Sequence, residues 1–162
     1  MRPRSAFSWF LCLVMVIASV VQPAAACTSI MVGRKASTDG SVMTSHTCDS
    51  HRTASSLLVV PAAKHKPGTE ILLTKRSEDN SGPMERYGRV PTGKIPQVER
   101  TWAYLAPAYA CMNQKQLAIG ESTFGGRDDL ISEKGLIDCE TLTRLMLERA
   151  ATAREAIRTG GE

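Results

Sequence analysis

The spacing of apolar and polar positions predicts that strands open the folded part of the chain. A short apolar run at residues 28–33 is followed by the turn 36–41, and a second run at 42–46 completes the unit. The turn contains an Asp-Gly pair, which is typical of β-hairpins. We therefore predict an N-terminal hairpin, with Cys27 at the open end of its first strand.

The middle of the chain has weaker patterns. Residues 54–62 predict a third strand, in which 57–60 form a continuous apolar run of the kind found in buried strands. Residues 64–97 are polar and rich in Gly and Pro. They predict a long surface excursion with one short strand at 70–74.

The last third of the chain is expected to end in one helix. A segment rich in aromatic and small residues at 102–112 precedes a predicted strand at 116–123. Asp138 is the predicted helix N-cap, and the pair at 160–161 is the predicted end. Between them, apolar residues recur at steps of three or four positions, as on one face of a helix: Leu142, Leu145, Met146, Ala150, Ala153 and Ile157. Strands before a helix indicate the α+β class.

The first 26 residues have the pattern of an export signal. Arg2 and Arg4 precede the apolar stretch 6–21, and three alanines at 24–26 fit a signal peptidase cleavage site. A retained membrane anchor is the alternative, but the stretch is shorter than the about 20 residues that a span needs. We expect cleavage after residue 26, an exported mature chain of residues 27–162, and no stable membrane insertion afterwards.

Composition narrows the function classes. The chain has 162 residues, 43% of them hydrophobic and 22% charged, which fits one globular domain at most. Its net charge of +4 is partly due to the two arginines in the predicted signal. Lys64, Lys66, Lys75 and Arg76 fit a solvated loop, so we expect no nucleic-acid partner. No nucleotide-binding glycine motif occurs, and no cofactor is expected.

The cysteines favour chemistry over a disulfide framework. Cys12 falls in the predicted signal, which leaves Cys27, Cys48, Cys111 and Cys139. In an exported chain, these four cysteines could form two disulfides. If Cys27 is free, at most one disulfide forms, and the sequence does not assign its pairing.

A cysteine at a new N-terminus carries a nucleophile and a base on one residue. The α-amine and the thiol have ordinary pKa values of about 7.7–8.0 and 8.5. The amine can therefore take the thiol proton near neutral pH, directly or through a water. The predicted chemistry is acyl transfer through a thioester. The alternative is an exported lipoprotein or binding protein anchored through Cys27, although Ala24 stands where lipoprotein signals usually have a Leu-like residue.

Several segments together resemble the cysteine-type dipeptidase A family of N-terminal nucleophile hydrolases, relatives of penicillin V acylase and bile salt hydrolase. They are the opening CTSIMVG at 27–33, TDGS at 38–41, SHTCD at 45–49, MNQ at 112–114, AIGEST at 118–123 and ERA at 148–150. The resemblance implies an αββα sandwich and hydrolysis of short peptides, most of all dipeptides, in a proteolytic role.

The resemblance also implies roles for particular residues. Asp49 matches an acidic residue that holds the N-terminal amine in place, with a strand-closing turn as the alternative. Asn113 could polarise a carbonyl, although a structural role as a turn residue is preferred for it. Ser122 and Thr123 match groups that line the oxyanion region and bind substrate.

Members of that family are much longer than this chain and carry further active-site residues beyond the segments matched here. We therefore expect an incomplete sandwich and a truncated chain that is poorly stable and weakly active or inactive alone. The expected partners are a small peptide substrate and either the missing C-terminal portion or a second copy of the chain. A metal site formed by His46, Cys48, Asp49 and His51 is a rival hypothesis, but no second group of ligands follows, and no metal is expected.

Overall fold

The computed structural model describes six stretches of the chain: 27–47, 56–76, 88–122, 126–130, 132 and 134–162. The predicted export signal lies outside these residues. Within the described part, no helix has the length and apolar character needed to cross a membrane.

Nine short strands precede two helices in the described residues. The strands are β1 (Ser29–Val32), β2 (Met43–His46), β3 (Leu58–Val60), β4 (Ala63–Lys64), β5 (Glu70–Arg76), β6 (Arg89–Pro96), β7 (Arg100–Thr101), β8 (Tyr104–Ala106) and β9 (Met112–Asn113). A 3-10 helix at Asp128–Leu130 precedes α1 (Cys139–Arg149) and α2 (Ala153–Gly161). The mixed α and β architecture is confirmed.

All of the described strand pairs are antiparallel. They form the sheets β1–β2, β3–β8–β9, β4–β7 and β5–β6. The αββα sandwich stays a prediction, because these four small sheets do not by themselves define two stacked layers.

The N-terminal hairpin is confirmed. Ser29 lies opposite His46 and Val32 opposite Met43. Asp39 Oδ1 accepts a hydrogen bond from the Ser41 N–H at 2.9 Å, and Gly40 has a φ of 74°, a conformation that glycine adopts without steric cost. The Asp-Gly pair thus forms the turn that the sequence predicted.

The predicted surface excursion at 64–97 is wrong. Strand β5 includes the predicted short strand and extends it to Arg76, and β6 pairs with it along almost its whole length. The polar residues misled the prediction because their partners lie far along the chain. Arg89, for example, contacts Glu140 at 2.9 Å and donates a 2.6 Å hydrogen bond to Thr141.

Two predicted strands are shorter than expected. In the predicted strand 54–62, Leu58–Val60 is the strand within the described residues 56–62, and Leu58 and Val59 are 48% and 59% exposed rather than buried. The described part of 116–123 makes one isolated bridge, between Met112 and Ala118. Within the described residues, each segment pairs with one neighbouring segment.

The single predicted helix is two helices. Asp138 is the N-cap of α1 as predicted, because its carboxylate accepts the Thr141 N–H at 2.8 Å. The backbone becomes extended at Ala150, and Thr152 caps α2. This break shifts the helical phase, so Ala156 is buried and Ile157, predicted on the apolar face, is 73% exposed.

The hydrophobic core lies between the β3–β8–β9 sheet and the two helices. It consists of Tyr104, Ala110, Leu117, Leu147, Ala150 and Ala156. Leu147 is fully buried, and α2 packs closely on α1 at Gly160, where a Cβ would lie 2.7 Å from Met146 Sδ and the methionine side chain would have to move. The core therefore fixes the β8–β9 region, whereas the N-terminal hairpin exposes Met31 and Met43.

The first testable prediction concerns the cap of α1. Burial acts to raise the pKa of Asp138, but hydrogen bonds from Thr141 and the Arg76 N–H, with the charge of Arg89, lower it overall. The carboxylate therefore stabilises the fold above its unfolded pKa of about 3.9, and this contribution is lost as pH falls below that value. We expect Asp138→Asn to weaken this acid-induced loss of stability in urea unfolding, and Asp138→Ala to cost about 1 kcal/mol at neutral pH.

Asp128→Asn is the matched control, because Asp128 is an exposed carboxylate in the 3-10 helix. If Asp138→Asn and Asp128→Asn changed the acid profile equally, the cap would not be the source of the pH dependence.

Candidate functional site

Cys27 lies at the open end of the hairpin, as predicted. The residue after it continues the strand pairing: the Thr47 N–H donates to the Thr28 carbonyl, and the Thr28 N–H donates to Thr47 Oγ1, both at 2.9 Å. Cys27 is half-buried, and its sulfur forms no disulfide. The thiol is therefore held next to an ordered pair of strands.

A hydroxyl and an imidazole lie on the hairpin face that is expected to carry Cys27. Ser29 is opposite His46 in the register, and Ser29 Oγ is 2.9 Å from His46 Nδ1. Because side chains alternate between faces along extended backbone, Cys27 and Ser29 share a face. His46 Nε2 is buried and makes no hydrogen bond within the described structure.

Ser122 reaches the same face from a distant part of the chain. Its Oγ is 3.4 Å from Ser29 Oγ. A Cβ on the nearby Gly120 would lie 3.3 Å from His46 Nδ1 and 3.5 Å from Ser29 Oγ. Because Gly120 has no side chain, the segment 118–122 lies directly against the hairpin. Ser122 thereby contacts Ser29, which is two residues after the predicted nucleophile Cys27.

A cavity of about 480 Å³ opens beside this contact. β2, the loop after β8, β9, the segment 118–121 and α1 supply its walls. Its lining residues are Thr44, His46, Pro107, Ala108, Tyr109, Ala110, Cys111, Met112, Ala118, Ile119, Gly120, Glu121 and Thr143. Most of these side chains are small or apolar, which suits a compact ligand with a few polar groups.

The other two described cysteines are poor nucleophiles. Burial raises the pKa of the Cys111 thiol. Burial, followed by the negative charge of Glu121, raises the pKa of the Cys139 thiol. Both thiols are therefore held in their neutral form at neutral pH, in which a thiol is unreactive.

Asn113 is a structural residue by its contacts. It is 4% exposed, and its Nδ2 donates to the carbonyls of Leu147 and Ala150, both at 2.8 Å. Its Oδ1 accepts from the N–H groups of Lys115 and Leu117. Both amide hydrogens are thus used within the fold, which favours the structural role over polarisation of a substrate carbonyl.

Two predicted site residues, Asp49 and Thr123, lie outside the described residues. The same holds for Cys48, Asp49 and His51 of the rival metal hypothesis, so His46 alone of that group is placed. The described stretches bring together no group of three or more His, Cys, Asp or Glu that could hold a metal ion.

Sequence analysis missed the Ser29–His46 pair and Glu121 as parts of the site. The first could have been found, because counting outward from the Asp-Gly turn places Ser29 opposite His46. No local signal could have placed Glu121, since its position depends on how the segment 118–122 crosses the hairpin.

Comparison with known protein families places most of the chain in one family model. The model of peptidase family C69 matches residues 26–162, which covers the hairpin, the cavity and both helices. No curated protein and no solved structure matches the chain.

The second prediction separates the two roles of Asn113. Asn113→Ala removes the donors to Leu147 and Ala150, and leaving those buried carbonyls unpaired costs about 1–3 kcal/mol. Asn113→Asp keeps the acceptor but places a carboxylate against two carbonyl oxygens, so we expect at least as large a loss. Urea unfolding followed by circular dichroism measures both.

Gln114→Glu is the control for a charge added to the same turn, because Gln114 is exposed and its Oε1 accepts from the Ala103 N–H, an interaction that a Glu carboxylate can keep. Unchanged stability in both Asn113 variants, together with lost peptide turnover, would instead favour the catalytic role.

Proposed function

Because the chain belongs to peptidase family C69, we propose that it is an exported dipeptidase that uses Cys27 as its nucleophile. The observation that carries the proposal is the place of Cys27, a free thiol at the end of a hairpin from which Thr44 and His46 line the cavity. A cavity of this size can hold the side chain of a short peptide.

The proposed reaction has two steps. The α-amine of the processed chain takes the thiol proton, and the sulfur bonds to the carbonyl carbon of the peptide. The carbon–nitrogen bond then breaks, the proton passes to the leaving amine, and a thioester remains on Cys27. Water hydrolyses the thioester, releases the carboxylic acid and restores the thiol.

The remaining residues have supporting roles in this proposal. Asp49 orients the α-amine, while Ser122 and Thr123 line the region where negative charge develops on the carbonyl oxygen. Ser122 is supported by its approach to Ser29. Cleavage of the export signal is the activating step, because an amide at Cys27 has no basic nitrogen to offer.

Turnover by the chain alone is expected to be weak. Ile30 and Met31 on the hairpin are 61% and 81% exposed, and Leu57 is 78% exposed. Apolar side chains open to water contribute little to stability. The hairpin that carries Cys27 therefore has little apolar support.

The third prediction tests the nucleophile. We expect the chain isolated after export to begin at an unmodified Cys27 and to gain the mass of the acyl half of a dipeptide when turnover is stopped with acid. Cys27→Ala abolishes this adduct, and Cys27→Ser lowers turnover by about a hundredfold or more, because an alcohol is a far weaker nucleophile. Intact mass, N-terminal sequencing and dipeptide release measure these outcomes.

Cys139→Ser is the matched control, because this cysteine forms no disulfide, lies at the start of α1 and is not among the lining residues of the cavity. A lipid mass on Cys27 would support the anchored lipoprotein instead. Dipeptide hydrolysis that survives in Cys27→Ala would also overturn the proposal.

A further inference from the structure

The two ring nitrogens of His46 differ in their surroundings. Nδ1 lies 2.9 Å from Ser29 Oγ. Nε2 is buried and makes no hydrogen bond within the described residues. Folded proteins leave a buried N–H unpaired less often than a buried acceptor. The burial of Nε2 therefore favours the tautomer with its proton on Nδ1, and Nδ1 then donates to the Ser29 hydroxyl.

This arrangement leaves the proton of the Ser29 hydroxyl for a ligand. A hydroxyl oxygen has two lone pairs and one O–H. One lone pair of Ser29 Oγ accepts from His46 Nδ1, and the other can accept from the Ser122 hydroxyl, whose oxygen is 3.4 Å away. Ser29 is also exposed. Both neighbours can thus hold the Ser29 oxygen while its O–H donates to a group outside the protein.

Ser29 is close enough to the proposed nucleophile to act on the same substrate group. It follows Cys27 by two residues, or about 7 Å of extended backbone, and side chains at this spacing share a face. The hydrogen bonds between Thr28 and Thr47 continue the strand pairing to this point. Before attack, a nucleophile lies about 3–3.5 Å from the carbonyl carbon, and a hydroxyl donates over about 2.7 Å. One carbonyl group therefore fits between the sulfur and the hydroxyl.

We propose that Ser29 is a further catalytic residue, which donates a hydrogen bond to the substrate carbonyl oxygen as Cys27 attacks, and that His46 is its positioning residue. This inference rests on the proposed function. As the sulfur bonds to the carbonyl carbon, an electron pair moves to the oxygen, where the Ser29 O–H stabilises the negative charge and keeps its proton. The pair returns when the bond to the leaving group breaks.

The test compares two reactions of the Cys27 thiol in the chain isolated after export. Acetylation by p-nitrophenyl acetate passes through an intermediate with a negative oxygen, whereas alkylation by iodoacetamide displaces iodide and forms no such oxygen. Mass mapping of the peptide that contains residue 27 follows both rates. Acetylation that persists in Cys27→Ala is subtracted, because it belongs to the α-amine.

Ser29→Ala is expected to affect these two reactions differently. One oxyanion donor contributes about a hundredfold or more in a closed site, and we expect about tenfold slower acetylation here because water also reaches Ser29. Alkylation changes by less than about twofold, because it depends on the thiolate and its access alone. Ser29→Thr keeps the hydroxyl and is expected to restore most of the acetylation rate.

Ser45→Ala is the matched control. Ser45 pairs with Ile30 in the same hairpin and, next to His46, lies on the other face. Both rates are expected to stay unchanged in this variant. Circular dichroism checks that every variant is folded to the same extent.

The role of His46 has its own readout. The nitrogen chemical shifts of its ring in NMR spectra report the tautomer, and we expect the proton on Nδ1. His46→Asn keeps an N–H near the place of Nδ1, so it is expected to slow acetylation less than His46→Leu does. A proton on Nε2, or equal rates in the two variants, overturns the positioning role.

Failure of this inference is distinguishable from failure of the proposed function. Equal slowing of acetylation and alkylation in Ser29→Ala, or no slowing of either, overturns the role of Ser29. The adduct of Cys27 with the acyl half of a dipeptide is measured independently. Acetylation that depends on Ser29 without that adduct would keep the oxyanion donor and overturn the dipeptidase.

Discussion

The side-chain amide of Asn113 is the interaction on which the described structure depends. It joins the end of β9 to the carbonyls of Leu147 and Ala150, at the point where α1 stops. Through its oxygen it also fixes the turn that leads to Leu117. One buried side chain thus sets both the break between the helices and the path of the segment 118–122, which forms a wall of the cavity. A polar group in this position specifies geometry, because buried amide donors and acceptors tolerate few alternative arrangements.

A second polar network ties the start of α1 to the β5–β6 hairpin. Asp138 accepts the Arg76 N–H at 2.9 Å, and Thr141 donates to the Thr74 carbonyl at 2.8 Å. These contacts connect residues more than sixty positions apart. They explain why a stretch that is polar in sequence is ordered as strands, since its polar groups are paired with α1 and within the hairpin. The spacing of apolar residues could not predict the β5–β6 hairpin, because polar contacts with α1, rather than an apolar face, hold its residues in place.

The sequence predicted correctly those features that depend on interactions between residues close together in the chain. The Asp-Gly turn, the register around it and the Asp138 cap follow from backbone preferences and from hydrogen bonds within a few residues. The break at Ala150 has both a local and a distant cause. Thr152 caps α2 by accepting the Glu155 N–H, a pattern that the sequence analysis missed, whereas the Ala150 carbonyl accepts a hydrogen bond from Asn113, far away in sequence. The site residues differ in the same way, since local signals place some of them and long-range contacts place the others. The place of Cys27 and its neighbour Ser29 follows from the hairpin, whereas Glu121 is placed by long-range packing.

The position of the thiol relative to the cavity depends on polar contact and close approach. On the hairpin, Ile30, Met31 and Met43 are exposed, so apolar burial contributes little to holding it. The hairpin contacts the segment 118–122 through the hydroxyls of Ser29 and Ser122 and through the packing of His46 against Gly120. Hydrogen bonds between exposed hydroxyls are individually weak, whereas a Cβ at Gly120 would crowd His46, since it would lie 3.3 Å from Nδ1. Small shifts of the hairpin therefore move Cys27 relative to the segment 118–122, whose neighbours in the core are fixed. In the proposed mechanism, the Ser29–Ser122 and His46–Gly120 contacts thus set the position of the attacking thiol.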